Sequence, residues 1–82
     1  MPEYFYGWIQ IFPYQFTPMD WIPCDGQELN IASYQTLYSL LGTRFGGNGS
    51  TTFAVPNLNQ AAIGPYNKYY IYNNGVYPPH QY

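Results

Sequence analysis

The chain has 82 residues, one cysteine, a net charge of −2 and 7% charged residues, against about 25% charged in ordinary domains. Those figures exclude an internal disulfide and leave nothing basic for nucleic acid to hold. No apolar run is long enough to span a membrane, and the length predicts one domain, residues 1–82, burying only about 60% of its unfolded surface.

With so few charges, the surface must be made of Asn, Gln, Ser, Thr, Gly and Tyr. Eleven tyrosines are more than a small core hides with every hydroxyl satisfied, so many are expected at a boundary with water, a partner or a ligand. The start lacks the basic residues and apolar stretch of a secretory signal, so export, if any, is expected by another route or by cell lysis.

Met1 to Tyr4 is a short lead. Tyr6, Trp8, Gln10 and Phe12 then alternate with Gly7, Ile9 and Ile11. Either face suits burial, which predicts a strand over 6–12 between two apolar environments, stopped by Pro13. Residues 14–20 form a loop, and Trp21 and Ile22 a short buried run. Asp25-Gly26 is a turn pair, because Gly26 accepts positive φ and Asp25 can bond nearby backbone. Leu29 and Ile31 alternate with Asn30, as in a half-buried extended segment. Ser33 is placed to cap a helix over 33–41. Tyr34, Leu37 and Leu41 follow at helical spacing, with Tyr38 one turn from Leu41. Gly42 is placed to end that helix in the left-handed conformation. Gly46-Gly47-Asn48-Gly49 reads as an exposed loop. In the next strand Phe53 and Val55 point one way, Thr52 and Ala54 the other, and Pro56 closes it. Residues 69–77 are strand-like and are expected to pair with 6–12, bringing the chain ends together.

The fold class predicted is a small α+β module, mostly β and loop, with one short helix. The expected core is Ile9, Ile11, Trp21, Ile22, Cys24, Leu29, Ile31, Leu37, Leu40, Leu41, Phe53, Val55, Leu58, Ile63, Ile71 and Val76.

Candidate chemistry is thin. Asp25 and Glu28 are a carboxylate pair in principle, as glycoside hydrolysis needs, but a turn aspartate and a surface glutamate explain them better. Asp20, Asp25 and Glu28 do not have the spacing of an EF-hand loop. Cys24 and His80 are two soft ligands where zinc wants three or four, and Cys24 reads as a small buried hydrophobe. The glycine loop lacks the lysine of a P-loop and precedes a strand, not a helix. Asn48-Gly49-Ser50 fits a glycosylation acceptor pattern by chance. The tyrosines suit either sugar stacking or packing between subunits. No catalytic, cofactor or metal residue is assigned.

Three stretches carry a resemblance. They are Gly7-Trp8-Ile9-Gln10-Ile11-Phe12, then Trp21-Ile22-Pro23-Cys24-Asp25-Gly26-Gln27, then Leu37 through Leu58 with its T-R-F-G-G-N-G-S-T-T-F-A-V-P-N-L run. Together they resemble the phage tail collar domain of short tail fibres and microcystin-dependent proteins. Tyr70-Ile71-Tyr72-Asn73-Asn74-Gly75-Val76-Tyr77-Pro78 is similar to the family's closing segment. Asn74-Gly75 alone signals a hairpin turn, whereas the resemblance implies one strand with a bulge at Gly75.

The chain also departs from the family pattern. Asp20 stands where the family usually has glycine, and Asn57 where it has aspartate. The long insertion before the closing strand is reduced to Pro65-Tyr66-Asn67-Lys68. The resemblance implies a structural, self-assembling subunit of a tail-fibre-like or extracellular filament, virion-associated or extracellular. Its partner would be itself, in a homopolymer fibre or a trimer, with no nucleic acid and no membrane span. The rival expectation is a receptor- or carbohydrate-binding module with a cell-surface glycan as ligand. The chain ends are aromatic rather than polar, so Tyr4, Phe5, Tyr6, Tyr77 and Tyr82 are the expected subunit interface.

Overall fold

The last strand in sequence sits in the middle of the larger sheet. The computed structural model of the protein describes residues 4–61, 64 and 67–78. Its elements are β1 (Ile9–Phe12), β2 (Trp21–Pro23), β3 (Glu28–Asn30), a 3-10 turn (Ile31–Ser33), α1 (Gln35–Leu41), β4 (Thr52–Ala54) and β5 (Lys68–Tyr72). β5 lies between β1 and β2 and runs antiparallel to both, while β3 and β4 form a separate antiparallel pair. This is the predicted α+β class, and β1 pairs with the closing strand as expected, with Ile9 opposite Ile71 and Phe12 opposite Lys68.

Alternation along each strand gives the larger sheet two apolar faces. One carries Ile22, Ile71 and Tyr69 and packs on the main core of Cys24, Leu29, Leu37, Phe53 and Val55. The opposite face is a layer of rings. Phe12 meets Trp21 and Tyr70, and Trp21 meets Tyr72, at centroid distances of 4.7–5.8 Å. Tyr4 folds over this layer against Trp8, Trp21 and Tyr72. Tyr70 is buried with it, and among the described residues no buried side-chain polar atom lacks a partner.

Several expectations are corrected. Ile9 and Ile11 remain 39% exposed, because the main core lies under Ile71 and Cys24 and β1 is an edge strand beyond it. Val76 is exposed as well. Only Leu37 of α1 is fully buried, and Leu40 and Leu41 are half-buried. Ser33 does not cap the helix. It lies in the 3-10 turn, and Tyr34 precedes α1 with no side-chain cap. Ala54 is buried although it points away from Phe53, because the glycine loop covers it: Ala54 N–H donates to the Gly46 carbonyl at 3.1 Å. Ile63 lies outside the described residues.

The closing strand is shorter than predicted and the bulge is on its partner. Gly7 and Tyr72 exchange one bond, Gly7 N–H to the Tyr72 carbonyl at 2.9 Å, yet Tyr72 N–H reaches the Trp8 carbonyl at 2.8 Å. Two residues of the first strand thus face one of β5, with Gly7 at φ +86°. Gly75 is also at +86°, beyond β5, and Val76 bridges Phe5 in parallel.

Both turn glycines take the expected positive φ, but Gly42 does not take the left-handed helical conformation expected of a helix end. Gly26 has φ +80°, and Asp25 Oδ1 accepts the Gln27 N–H at 3.0 Å. Gly42 has φ +59° with ψ −144°, a region that essentially only glycine enters.

Asp20 alone of the described non-glycine residues has positive φ, at +69°, the position where the family pattern has glycine. Its carbonyl accepts Asn73 N–H at 2.8 Å and its Oδ2 accepts Asn74 Nδ2 at 2.9 Å, so the side chain ties the strained turn to the end of β5. Asp20→Gly relieves strain while losing one exposed bond, and its stability should stay within about 1 kcal/mol of the parent. Asp20→Ala keeps the strain and loses the bond, and should cost about 1–2 kcal/mol more in urea unfolding.

Candidate functional site

The carboxylates do not assemble into a centre. Asp25 is engaged in its own turn, and Glu28 sits exposed on β3 opposite Ala54. Among the described residues no three of His, Cys, Asp and Glu gather closely enough to hold a metal. His80 lies outside the described residues.

Cys24 is 2% exposed. Burial, and then the neighbouring Asp25 carboxylate, push its thiol up to about 11. The folded state therefore favours the neutral thiol, whereas an unfolded thiol ionises near pH 8.5. Its contribution to stability is complete below about pH 8.5 and is lost as pH rises towards 11. Cys24→Ala should remove this component, so urea unfolding at pH 8 and pH 10.5 should show a smaller drop for the variant than for the parent. Native Cys24 should also resist alkylation at pH 8.

The glycine loop is an internal structure, not an anion cradle. Asn48 Oδ1 accepts the N–H groups of Ser50, Thr51 and Thr52 at 2.8, 2.8 and 3.1 Å, and Asn48 Nδ2 donates to Thr51 Oγ1 at 3.0 Å. The donors a phosphate would need are already occupied, and the amide of the apparent glycosylation acceptor is engaged as well. Asn48→Ala strips three N–H groups of their acceptor. Because the loop is exposed and water replaces part of the loss, a cost of about 1–3 kcal/mol in thermal or urea unfolding is expected.

Two exposed features remain. The first is a row of rings running off the end of β1. Phe12 and Tyr14 stack at 5.4 Å and 9°, and Tyr14 and Phe16 at 5.1 Å and 1°. Beside it lies a recess of about 300 Å³, walled by Gln15, Thr17, Asp25, Asn59 and Lys68. From the sequence alone residues 14–20 read as a loop; an aromatic at every second position from Phe12 to Phe16 is the signal of the row.

The second is the meeting of the chain ends. Tyr6 N–H donates to the Val76 carbonyl at 3.0 Å, and Val76 N–H to the Tyr4 carbonyl at 3.2 Å. Phe5 lies against Trp8 at 5.3 Å, and the exposed Tyr77 has its hydroxyl 2.9 Å from Ser39 Oγ. Tyr4, Phe5, Tyr6 and Tyr77 are therefore brought together, although Tyr4 also anchors its own sheet. Tyr82 lies outside the described residues. Ile9 and Ile11, expected in the core, share the face of Ile71 and Tyr69 but stay at the surface, because an alternating strand does not say whether it will lie at the centre or the edge of its sheet.

What these parts define is a small α+β module of two short sheets, one helix and a pinned glycine loop. The family model of the phage tail collar domain matches residues 7–63, more than half of the chain, and the protein belongs to that family. No curated protein and no solved structure matches the chain. Membership gives it a structural role in the phage tail fibre and an association with the virion. No helix among the described residues is long and apolar enough to cross a membrane.

Proposed function

We propose that the protein is a self-assembling structural subunit of a tail-fibre-like or extracellular filament, made of copies of this chain as a single folded unit. The observation that supports this best is the surface where the chain ends meet. Trp8, Val76 and Tyr77 stay about 40% exposed there, next to Tyr4, Phe5 and Tyr6, on a chain with only six charged residues to oppose association. Exposed aromatic anchors of this kind favour burial against a neighbour. Light scattering at micromolar concentration tests it, together with negative-stain microscopy. Assemblies far above 9.5 kDa are expected, and a stable species at that mass would sink the reading.

A second reading, a module that binds a cell-surface glycan, is favoured by one observation. The Phe12, Tyr14 and Phe16 row stands beside a recess whose walls carry amide, hydroxyl and charged groups, a combination that suits a sugar ring stacked on an aromatic. A glycan array on the parent and on Tyr14→Ala tests it: binding by the parent and loss in the variant support it, and no binding by the parent removes it.

A further inference from the structure

Among the described residues the two sheets have four outer edges, and three of them are defended. On β2, Trp21 N–H donates to the Pro18 carbonyl at 3.2 Å and Pro23 has no N–H, so that edge has no free donor. On β4, the glycine loop lies along the edge: Ala54 N–H goes to Gly46, and the Thr52 carbonyl accepts Gly49 N–H at 3.0 Å. On β3, the outward residues are Glu28 and Asn30, so a charge guards a three-residue strand, and the Asn30 carbonyl already accepts Tyr34 N–H. Short, proline-bearing, charged and covered edges are the ordinary defences against pairing between molecules.

The edge of β1 is the least defended: it is four residues long between the Gly7 bulge and Pro13, but it carries no charge and no described residue covers it. Tyr72 N–H bonds to the Trp8 carbonyl. By the two-residue alternation of an antiparallel ladder, Gln10 and Phe12 then turn their backbone groups to β5, and Ile9 and Ile11 turn theirs outward. No described residue bonds to those outward groups. The strand Ile-Gln-Ile-Phe carries no charge, and the side chains of Ile9 and Ile11 are each 39% exposed.

We infer that β1 pairs antiparallel with β1 of a second copy about a two-fold axis through Gln10, a contact that rests on the self-assembly reading and names its surface. The strand is complementary to itself in this register. Ile9 faces Ile11 of the other copy, and their outward N–H and C=O groups make four hydrogen bonds. Four isoleucine side chains meet on one face, and the two Gln10 amides meet on the other. The uncharged strand meets no like charge from its copy, which favours a second copy over a charged partner. A pairing this short buries less than the roughly 1,200–2,000 Å² of a stable complex. The contact is therefore concentration-dependent alone and becomes durable where other contacts in a filament repeat it.

Cross-linking tests the register. Facing residues without mutual hydrogen bonds have Cα atoms about 4.5 Å apart, within disulfide reach. Gln10→Cys should form a covalent dimer under mild oxidation at micromolar concentration, and Ile9→Cys should not, because its own copy lies two positions further along. Hydrogen exchange supplies the second readout. The Ile9 and Ile11 amides should become protected as concentration rises, while those of Gln10 and Phe12 stay protected throughout. If the parent assembles by light scattering but Gln10→Cys does not cross-link, or cross-links no better than Ile9→Cys, the edge pairing is wrong and the self-assembly reading survives. If Ile9 and Ile11 are protected at every concentration, another part of the same chain covers the edge, and the inference fails. A parent that remains a monomer removes both.

Discussion

Gly47→Ala is expected to destabilise the protein by about 4 kcal/mol or more, enough to unfold it if its total stability lies at the low end of its range. At this position φ is +92°, and an added Cβ would lie 2.3 Å from the Phe53 Cα and 2.6 Å from the Thr52 carbonyl oxygen. Both obstacles are backbone in β4, so no rotamer change relieves the clash. The positive φ alone costs about 1–2 kcal/mol for a residue with a side chain. The clash adds more, because the loop must lift away from β4. That movement breaks the Ala54 to Gly46 bond and uncovers Ala54, which is otherwise buried. We expect a total of about 4 kcal/mol or more, the range reserved for a few mechanisms of this severity. A chain of this length has roughly 4–12 kcal/mol of stability in all. Gly42→Ala is the control. Its φ is also positive, but nothing lies within 4 Å of the added Cβ, so only the backbone cost remains, about 1–3 kcal/mol. Equal losses for the two variants in urea unfolding would show that the close approach at Gly47 is not energetically real.

Phe53→Ala should cost about 3–5 kcal/mol, as buried phenylalanine truncations do. Phe53 is the largest fully buried side chain among the described residues. It faces Leu29 across the β3–β4 pair, and its ring lies 5.3 Å from that of Tyr38 on α1. The same residue therefore joins the small sheet to the helix, and its removal leaves a cavity whose walls belong to different elements. Collapse cannot close that cavity without moving α1 off the sheet. Phe53→Leu keeps most of the volume and should lose distinctly less. Calorimetric or urea unfolding of the two variants against the parent provides the measurement, and an Ala variant within 1 kcal/mol of the parent would contradict the packing described.

Both positions bear on the proposed function through the same route. A filament subunit must hold β1 and the joined chain ends in place, and these surfaces rest on β5, which packs Ile71 into the core with Phe53. Loss of the core therefore removes the assembling surface as well.

The residues that were legible in advance share a physical reason: their conformation depends on near neighbours. Gly26 and Gly42 take positive φ because a turn and a helix end require it locally. Leu37 and Phe53 are inside because periods of 3.6 and 2 place them on the apolar side of their own elements. The pairing of 6–12 with the closing strand followed from two apolar extended segments at the ends of a short chain, and from the family pattern.

What the alternation in 6–12 could not decide was whether that strand would lie at the centre or the edge of its sheet. Ile9 and Ile11 are as apolar as Ile71, but Ile71 is on the central strand and they are on an edge, so the core reaches one and not the others. The same is true of Ala54 and Gly47, whose burial and close approach come from a loop folding back on a strand. Gly7 rather than Gly75 carries the bulge, because that choice depends on how Tyr72 meets the first strand. Asp20 holds a positive φ only because Asn73 and Asn74, more than fifty positions later, are there to bond it. Local spacing determines turns, periods and candidate strands; which edge stays open, and which glycine is indispensable, are decided only when distant segments are brought into contact.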